Sequence, residues 1–214
     1  MAGVPIVFRD KEDKKIVSYD WVDLASGMGV VEFEGYQTRN SVSQEYVLGT
    51  NPFETAHRTI GNGSGTYNYE FDTAEFNMPS VISGKLTLGL LQAIWTGGGT
   101  ATMTHTIEFF HYDGSTETSL AAAQTTKTLT HYGGATTHVA LNCMLAFDIP
   151  ETNFKKGDIL RMKIQQNNGG SGGYRVYVTG TDPLNRDIGI NTTTLDASEY
   201  PTWLKLAIPF RINL

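Results

Sequence analysis

The chain has one cysteine, Cys143, in 214 residues, so no intrachain disulfide can form and packing and hydrogen bonds must hold the fold. It is also short of charge: Asp, Glu, Lys and Arg make up 18%, against the ~25% usual for globular proteins. No long basic cluster occurs, and the formal charge is -6. Nucleic acid is therefore not an expected partner, because phosphate binding needs concentrated Lys and Arg to release counterions. The densest charged run, Arg9 to Lys15, mixes both signs.

Long apolar runs are missing as well. Leu86 to Trp95 is about half the ~20 residues a helix needs to cross a bilayer, so no membrane span is expected. Met1 to Phe8 leave no room for the apolar core of a secretory signal before the charged run, and export by a signal peptide is not expected. Neither a phosphate-binding Gly-x-x-x-x-Gly-Lys-Ser/Thr run nor a dinucleotide fingerprint is present. No cofactor is expected.

What the sequence does have is alternation and glycine. Aromatic residues reach 11%, with 23 glycines punctuating short β-type segments. Val31, Phe33 and Gly35 alternate with Glu32, Glu34 and Tyr36; Tyr67, Tyr69 and Phe71 alternate with Asn68, Glu70 and Asp72. Met103, His105, Ile107, Phe109 and His111 form one face of a third segment. Leu160, Met162 and Ile164 form the core face of a fourth. Asp113-Gly114-Ser115 reads as a hairpin turn, and Val81 to Trp95 as a long strand bulged near Gly89. Asn167 to Gly173 reads as a loop closing an antiparallel pair. About ten strand centres are enough for two packed sheets. The pattern predicts an all-β fold: an antiparallel, jelly-roll-like sandwich of about 8–10 strands, one domain over residues 29–214 behind an N-terminal arm or edge segment over 1–28. Residues 180 to 201 form the longest irregular connection and a candidate interaction surface.

Catalytic and metal chemistry find little foothold. Gly169 to Gly173 fits Gly-x-Ser-x-Gly around Ser171, but a nucleophile elbow needs a strand before it and a helix after it, and no helix follows. His105 and His111 share a face, yet six residues of strand part them by ~20 Å, too far for one metal. His57, His131 and His138 lack the short ligand spacings of zinc sites, so no metal is expected. Cys143, within Val139 to Phe147, reads as a small buried apolar residue. The carboxylate pairs Glu32 with Glu34 and Glu70 with Asp72 stand at the ~6.5–7 Å spacing of glycosidase acids and bases. Exposed strands carry such pairs routinely. The expectation is that the chain is not an enzyme and has no catalytic residues; glycoside hydrolysis is kept as an alternative.

Several segments together resemble β-sandwich structural proteins of tailed-phage and related virus particles. They are Tyr19 to Val31, Phe154 to Arg161, Thr181 to Asp187 and Leu204 to Ile212. The resemblance implies a virion component assembled in the host cytoplasm: a head decoration, fibre, minor capsid or tail-associated protein. It implies a homo-oligomer, such as a trimer, with the major capsid or other virion proteins as partners. Docking would use Phe8, Tyr19 and Trp21 on an arm spanning Val4 to Trp21, together with Asp182, Arg186, Tyr200 and Trp203. An extra edge strand is the plainer account of the arm. The alternative is a lectin-like sandwich binding a host glycan, with Trp95, Tyr132, Tyr174, Tyr177 or Trp203 as stacking faces.

Overall fold

A computed structural model describes residues 17–18, 28–39, 44–50, 63–134, 137–171, 173–190 and 193–211. The described residues contain strands and turns and no helix. In chain order the strands are β1 Val17–Ser18, β2 Met28–Arg39, β3 Gln44–Gly49, β4 Gly65–Thr73, β5 Ser80–Thr96, β6 Thr100–Tyr112, β7 Glu117–Ser119 and β8 Gln124–Thr125. They continue as β9 Leu129–Tyr132, β10 Val139–Phe154, β11 Ile159–Ser171, β12 Arg175–Thr179, β13 Ile188–Ile190, β14 Thr193–Leu195 and β15 Leu204–Arg211.

Thirteen of these form one sheet in the order β10-β5-β15-β2-β3-β4-β11-β6-β7, with β1 beside β2, β12 beside β5, and β8 and β9 beside β6. The fold is all-β, and this single curled sheet takes the place of the two separate jelly-roll sheets expected. Within it β3 pairs antiparallel with β2 and parallel with β4. One layer is then β10, β5, β15, β12 and β2, and the facing layer is β4, β11, β6 and the short strands beyond it. A core packs between them: Leu86, Leu88 and Leu90 from β5 against Phe71, Ile107, Phe109, Leu160, Met162 and Ile164. Burying such alternating faces is what stabilises a sandwich, at roughly 25 cal/mol per Å² of apolar surface removed from water.

The alternation predicted for β4, β6 and β11 is present: Phe71, Met103, Ile107, Phe109, Leu160 and Met162 are all buried. The β6–β7 hairpin also forms, with Tyr112 opposite Glu117. Asp113 tightens its turn by accepting from the Ser115 and Thr116 N–H groups at 2.9 and 2.7 Å.

Three local expectations are corrected. The irregularity in β5 lies near Gly84, between the Ile82 and Thr87 pairings with β15, and not at Gly89. Gly89 serves close approach instead: a Cβ there would stand 2.7 Å from the Trp203 ring and 3.0 Å from Met144 Sδ. The Asn167–Gly173 segment does not close an antiparallel pair. β11 runs on to Ser171 beside β6, and β12 pairs with β5 in the other layer, so the chain crosses between layers there. Finally, residues 180–201 are not irregular throughout. β13 and β14 form a hairpin whose Ile188, Ile190 and Leu195 cover Leu91, Ala93, Trp95, Val176 and Val178 on the outer face of β5 and β12.

Of the N-terminal arm, Val17 and Ser18 pair with Val31 and Val30 of β2, the edge-strand arrangement. The rest of the arm up to residue 27 lies outside the described residues.

Candidate functional site

The strand order makes β10 an edge, since among the described residues it pairs with β5 alone. Alternate N–H and C=O groups of an antiparallel strand point away from its partner, so a sixteen-residue edge presents a row of unpaired backbone groups. Natural edges are blunted by charge, proline or a bulge. The second half of β10 follows that rule, with Asp148, Pro150, Glu151 and a register break between Ile149 and Thr152. Its first half, Val139 to Phe147, carries no charged residue and no proline. Val139 and Leu141 are each 37% exposed and Met144 70%. This segment, in which Cys143 reads from sequence as a buried residue, is an open, partly apolar rim.

Behind that rim a polar chain crosses the interior. Cys143 Sγ donates to Gln92 Oε1 at 2.9 Å. Gln92 Nε2 meets His105 Nδ1 at 2.5 Å and donates to Thr126 Oγ1 at 2.9 Å. His105 Nε2 meets Thr179 Oγ1 at 2.5 Å, and Thr179 donates to Gln166 Oε1 at 2.9 Å. Gln166 Nε2 donates to Asn168 Oδ1 at 2.8 Å. A carbonyl oxygen only accepts, so the Thr179 hydroxyl spends its proton on Gln166 and must accept from His105 Nε2–H; Nδ1 is then the acceptor for Gln92. Burial lowers the His105 pKa to about 3, with the Gln166 bond opposing, so the ring is neutral. The chain rigidifies the interior between the main core and a smaller cluster of Ile94, Ala101, Met103, Leu129 and Tyr177. Cys143 is half-buried and hydrogen-bonded, unlike the apolar filler expected; burial pushes its thiol pKa up.

The predicted interaction residues fall in two groups. Phe8, Tyr19 and Trp21 lie outside the described residues. Asp182, Arg186, Tyr200 and Trp203 belong to the segment over β5 and are occupied internally. Asp182 is fully buried, accepts the Leu184 and Arg186 N–H groups at 3.1 and 3.2 Å, and pairs with the Arg186 guanidinium at 2.9 Å. Tyr200 packs on the β13–β14 cluster and edge-on to His138. Trp203 lies over Gly89 beneath the Lys205 ammonium, 5.3 Å from the ring centre. Among the proposed stacking faces Trp95 and Tyr177 are buried, whereas Tyr132 and Tyr174 are 72% and 61% exposed.

The carboxylate pairs have distinct surroundings. Glu70 and Asp72 converge on Arg161, whose Nη1 is 2.9 Å from Glu70 and whose Nη2 is 2.7 Å from Asp72, with Glu117 at 2.8 Å. Arg161 also stacks on Tyr112 at 4.3 Å. Glu34 is different: burial raises its carboxyl pKa against the opposing Lys205 ammonium at 3.5 Å, and its Oε2 is buried with no hydrogen-bond partner. A shallow cleft of about 320 Å³ is lined by Thr102, Thr104, Thr128 and Asn167 with Met103, Asn168 and Gly169. Its hydroxyl and amide lining suits neutral hydrogen-bonding ligands. No group of three or more His, Cys, Asp or Glu that could hold a metal occurs among the described residues.

The architecture is thus a curled all-β sandwich with one rim open. No family model matches the sequence, and no curated protein is similar to it in sequence. The fold is similar to a CocE/NonD family hydrolase from Staphylococcus aureus, with 9% identity and TM-score 0.41 over 83% of this chain and 36% of that one. It is similar to an aminopeptidase from a marine sediment archaeon, Thaumarchaeota archaeon, with 9% identity and TM-score 0.42 over 85% of this chain and 37% of that one. It is also similar to a T=1 particle derived from infectious bursal disease virus, with 13% identity and TM-score 0.23 over 92% of this chain and 57% of that one. The chain spans little more than a third of the length of the two enzymes. These likenesses give no support to the tailed-phage part of the resemblance. The expectation that the chain is not an enzyme is withdrawn, since hydrolases stand among the structures it is similar to.

Proposed function

We propose that this chain is a structural component of a virus particle that acts by docking its β surfaces onto copies of itself and onto neighbouring particle proteins. The observation that carries the reading is the open half of β10, which lacks the charge and proline that keep edges apart and exposes Val139, Leu141 and Met144. A weakly charged, hydrogen-bonding surface suits such contacts, whose buried centres are depleted in charge. Light scattering on the purified chain is expected to give a mass above that of the monomer, and Met144→Lys to lower it with an unchanged β circular-dichroism spectrum. Antibody labelling should find the chain in gradient-purified particles. A monomer at every concentration, absent from particles, defeats the proposal.

A second reading, recognition of a neutral glycan, is supported by the uncharged Thr and Asn lining of the cleft on β6 and β11. Here a saccharide thermal-shift screen is expected to raise the melting temperature dose-dependently with one sugar, and Asn167→Ala to abolish the shift. A flat response to every sugar removes this reading.

A further inference from the structure

We propose that β10 pairs antiparallel with β10 of a second copy about a two-fold axis passing at Cys143. The inference names the partner for the open rim and rests on the self-docking reading above.

An antiparallel ladder is its own complement: rotating a strand by a half-turn sets its outward N–H groups against the outward C=O groups of the original. Among the described residues most of the outward edge of β10 is open to do this, with one acceptor, Ala146 O, held by a side-chain bond that pairing would replace. From the facing layer, among the described residues, only the Gln124 side chain hydrogen-bonds the β10 backbone, donating to Ala146 O at 2.5 Å.

Register follows from charge and proline. A ladder centred at Cys143 joins Val139 to Phe147 of each copy, setting Leu141 opposite the partner copy's Leu145 and Val139 opposite its Phe147. Pro150, which cannot donate to a ladder, then lies outside it. Asp148, almost fully exposed at the end of the uncharged run and 3.8 Å from the Lys85 ammonium, falls just outside the nine paired residues. Moving the axis to Leu145 would bring Pro150 and Glu151 into the ladder. Moving it to Leu141 would leave only five strand residues to pair, because β10 begins at Val139. Pairing at Cys143 continues the sheet from one copy into the next and covers the exposed parts of Val139 and Leu141. It is a contact distinct from the trimer that the resemblance implies, and both can operate in one closed shell.

The axis falls on the chain's single cysteine, which makes the test direct. Residues directly opposite in an antiparallel pair have Cα atoms ~4.5–5.5 Å apart, so a short bis-maleimide can join the two Cys143 thiols. Full-length wild-type protein is expected to cross-link to a covalent dimer, with a yield that tracks the dimer fraction seen by sedimentation. Cys143→Ser should lose the cross-link and keep the dimer. Cys143→Lys sets two ammonium groups face to face and should raise the dimer dissociation constant at least tenfold. If Cys143→Lys does not fold, Leu141→Lys serves the same purpose with the thiol intact, weakening dimer and cross-link together. Self-association without a Cys143 cross-link overturns this pairing and leaves the self-docking reading standing. A wild-type monomer by sedimentation overturns both.

Discussion

At pH 4 the folded chain is expected to be about 3 kcal/mol less stable than at pH 7 through one side chain, His105. Its imidazole is fully buried and its pKa is lowered from 6.5 to about 3. Between these values the folded state binds fewer protons than the unfolded state, so this contribution is complete above pH 6.5 and is lost as the pH falls toward 3. Gln92, Thr126, Thr179 and Gln166 surround the ring, and none carries a charge that could hold an imidazolium. Protonation would also take Nδ1 from Gln92, turning an acceptor into a donor that faces another donor. Urea unfolding of wild type and His105→Gln from pH 7 to pH 4 checks this. The variant should start less stable and fall less steeply. Carboxyls held below their usual range by hydrogen bonds, such as Asp113 and Asp196, weaken both proteins equally in acid. Parallel slopes would show that His105 titrates normally.

Arg161→Met should destabilise the fold by about 2–3 kcal/mol. The guanidinium is 13% exposed and bonds Asp72 through both Nε and Nη2, at 2.8 and 2.7 Å. Losing it removes the Asp72 ion pair and leaves Glu70 and Glu117 with Lys163, whose Nζ lies 3.6 and 2.6 Å from them. Breaking a buried pair costs roughly 3–5 kcal/mol. The smaller figure reflects partners that keep contact with water. Methionine retains much of the packing on Tyr112, so the loss reports charge more than volume. Raising the salt should shrink the difference between variant and wild type, because the abandoned carboxylates then repel one another less. A change under about 0.5 kcal/mol would mark the cluster as surface decoration.

The two cases differ in how far the sequence reveals them. Glu70, Asp72, Arg161 and Lys163 stand on outward faces that alternation reads correctly, but their meeting depends on Asp72 lying opposite Arg161 in the β4–β11 register. His105 carried a usable signal: a polar residue within the inward row Met103, Ile107, Phe109 has to find partners in the core. Its partners come from β5, β11, β12 and the turn after β8, and no local pattern announces which strands will face one another. The rim is not legible in the sequence, because Val139 to Phe147 is apolar. Apolarity says that a strand is suited to burial, and not whether a neighbour arrives to bury it.

Alone, the sequence determined that the chain is all-β, which faces of β4, β6 and β11 point inward, and where the β6–β7 hairpin turns. These are consequences of a two-residue period and of turn chemistry, both local. Tertiary structure alone decided that one sheet curls on itself, that β13 and β14 cover β5, and that β10 is left at the rim. Such matters depend on strand pairing between distant segments, whose backbone hydrogen bonds are the same for every sequence, so only the packing of the whole chain selects among them.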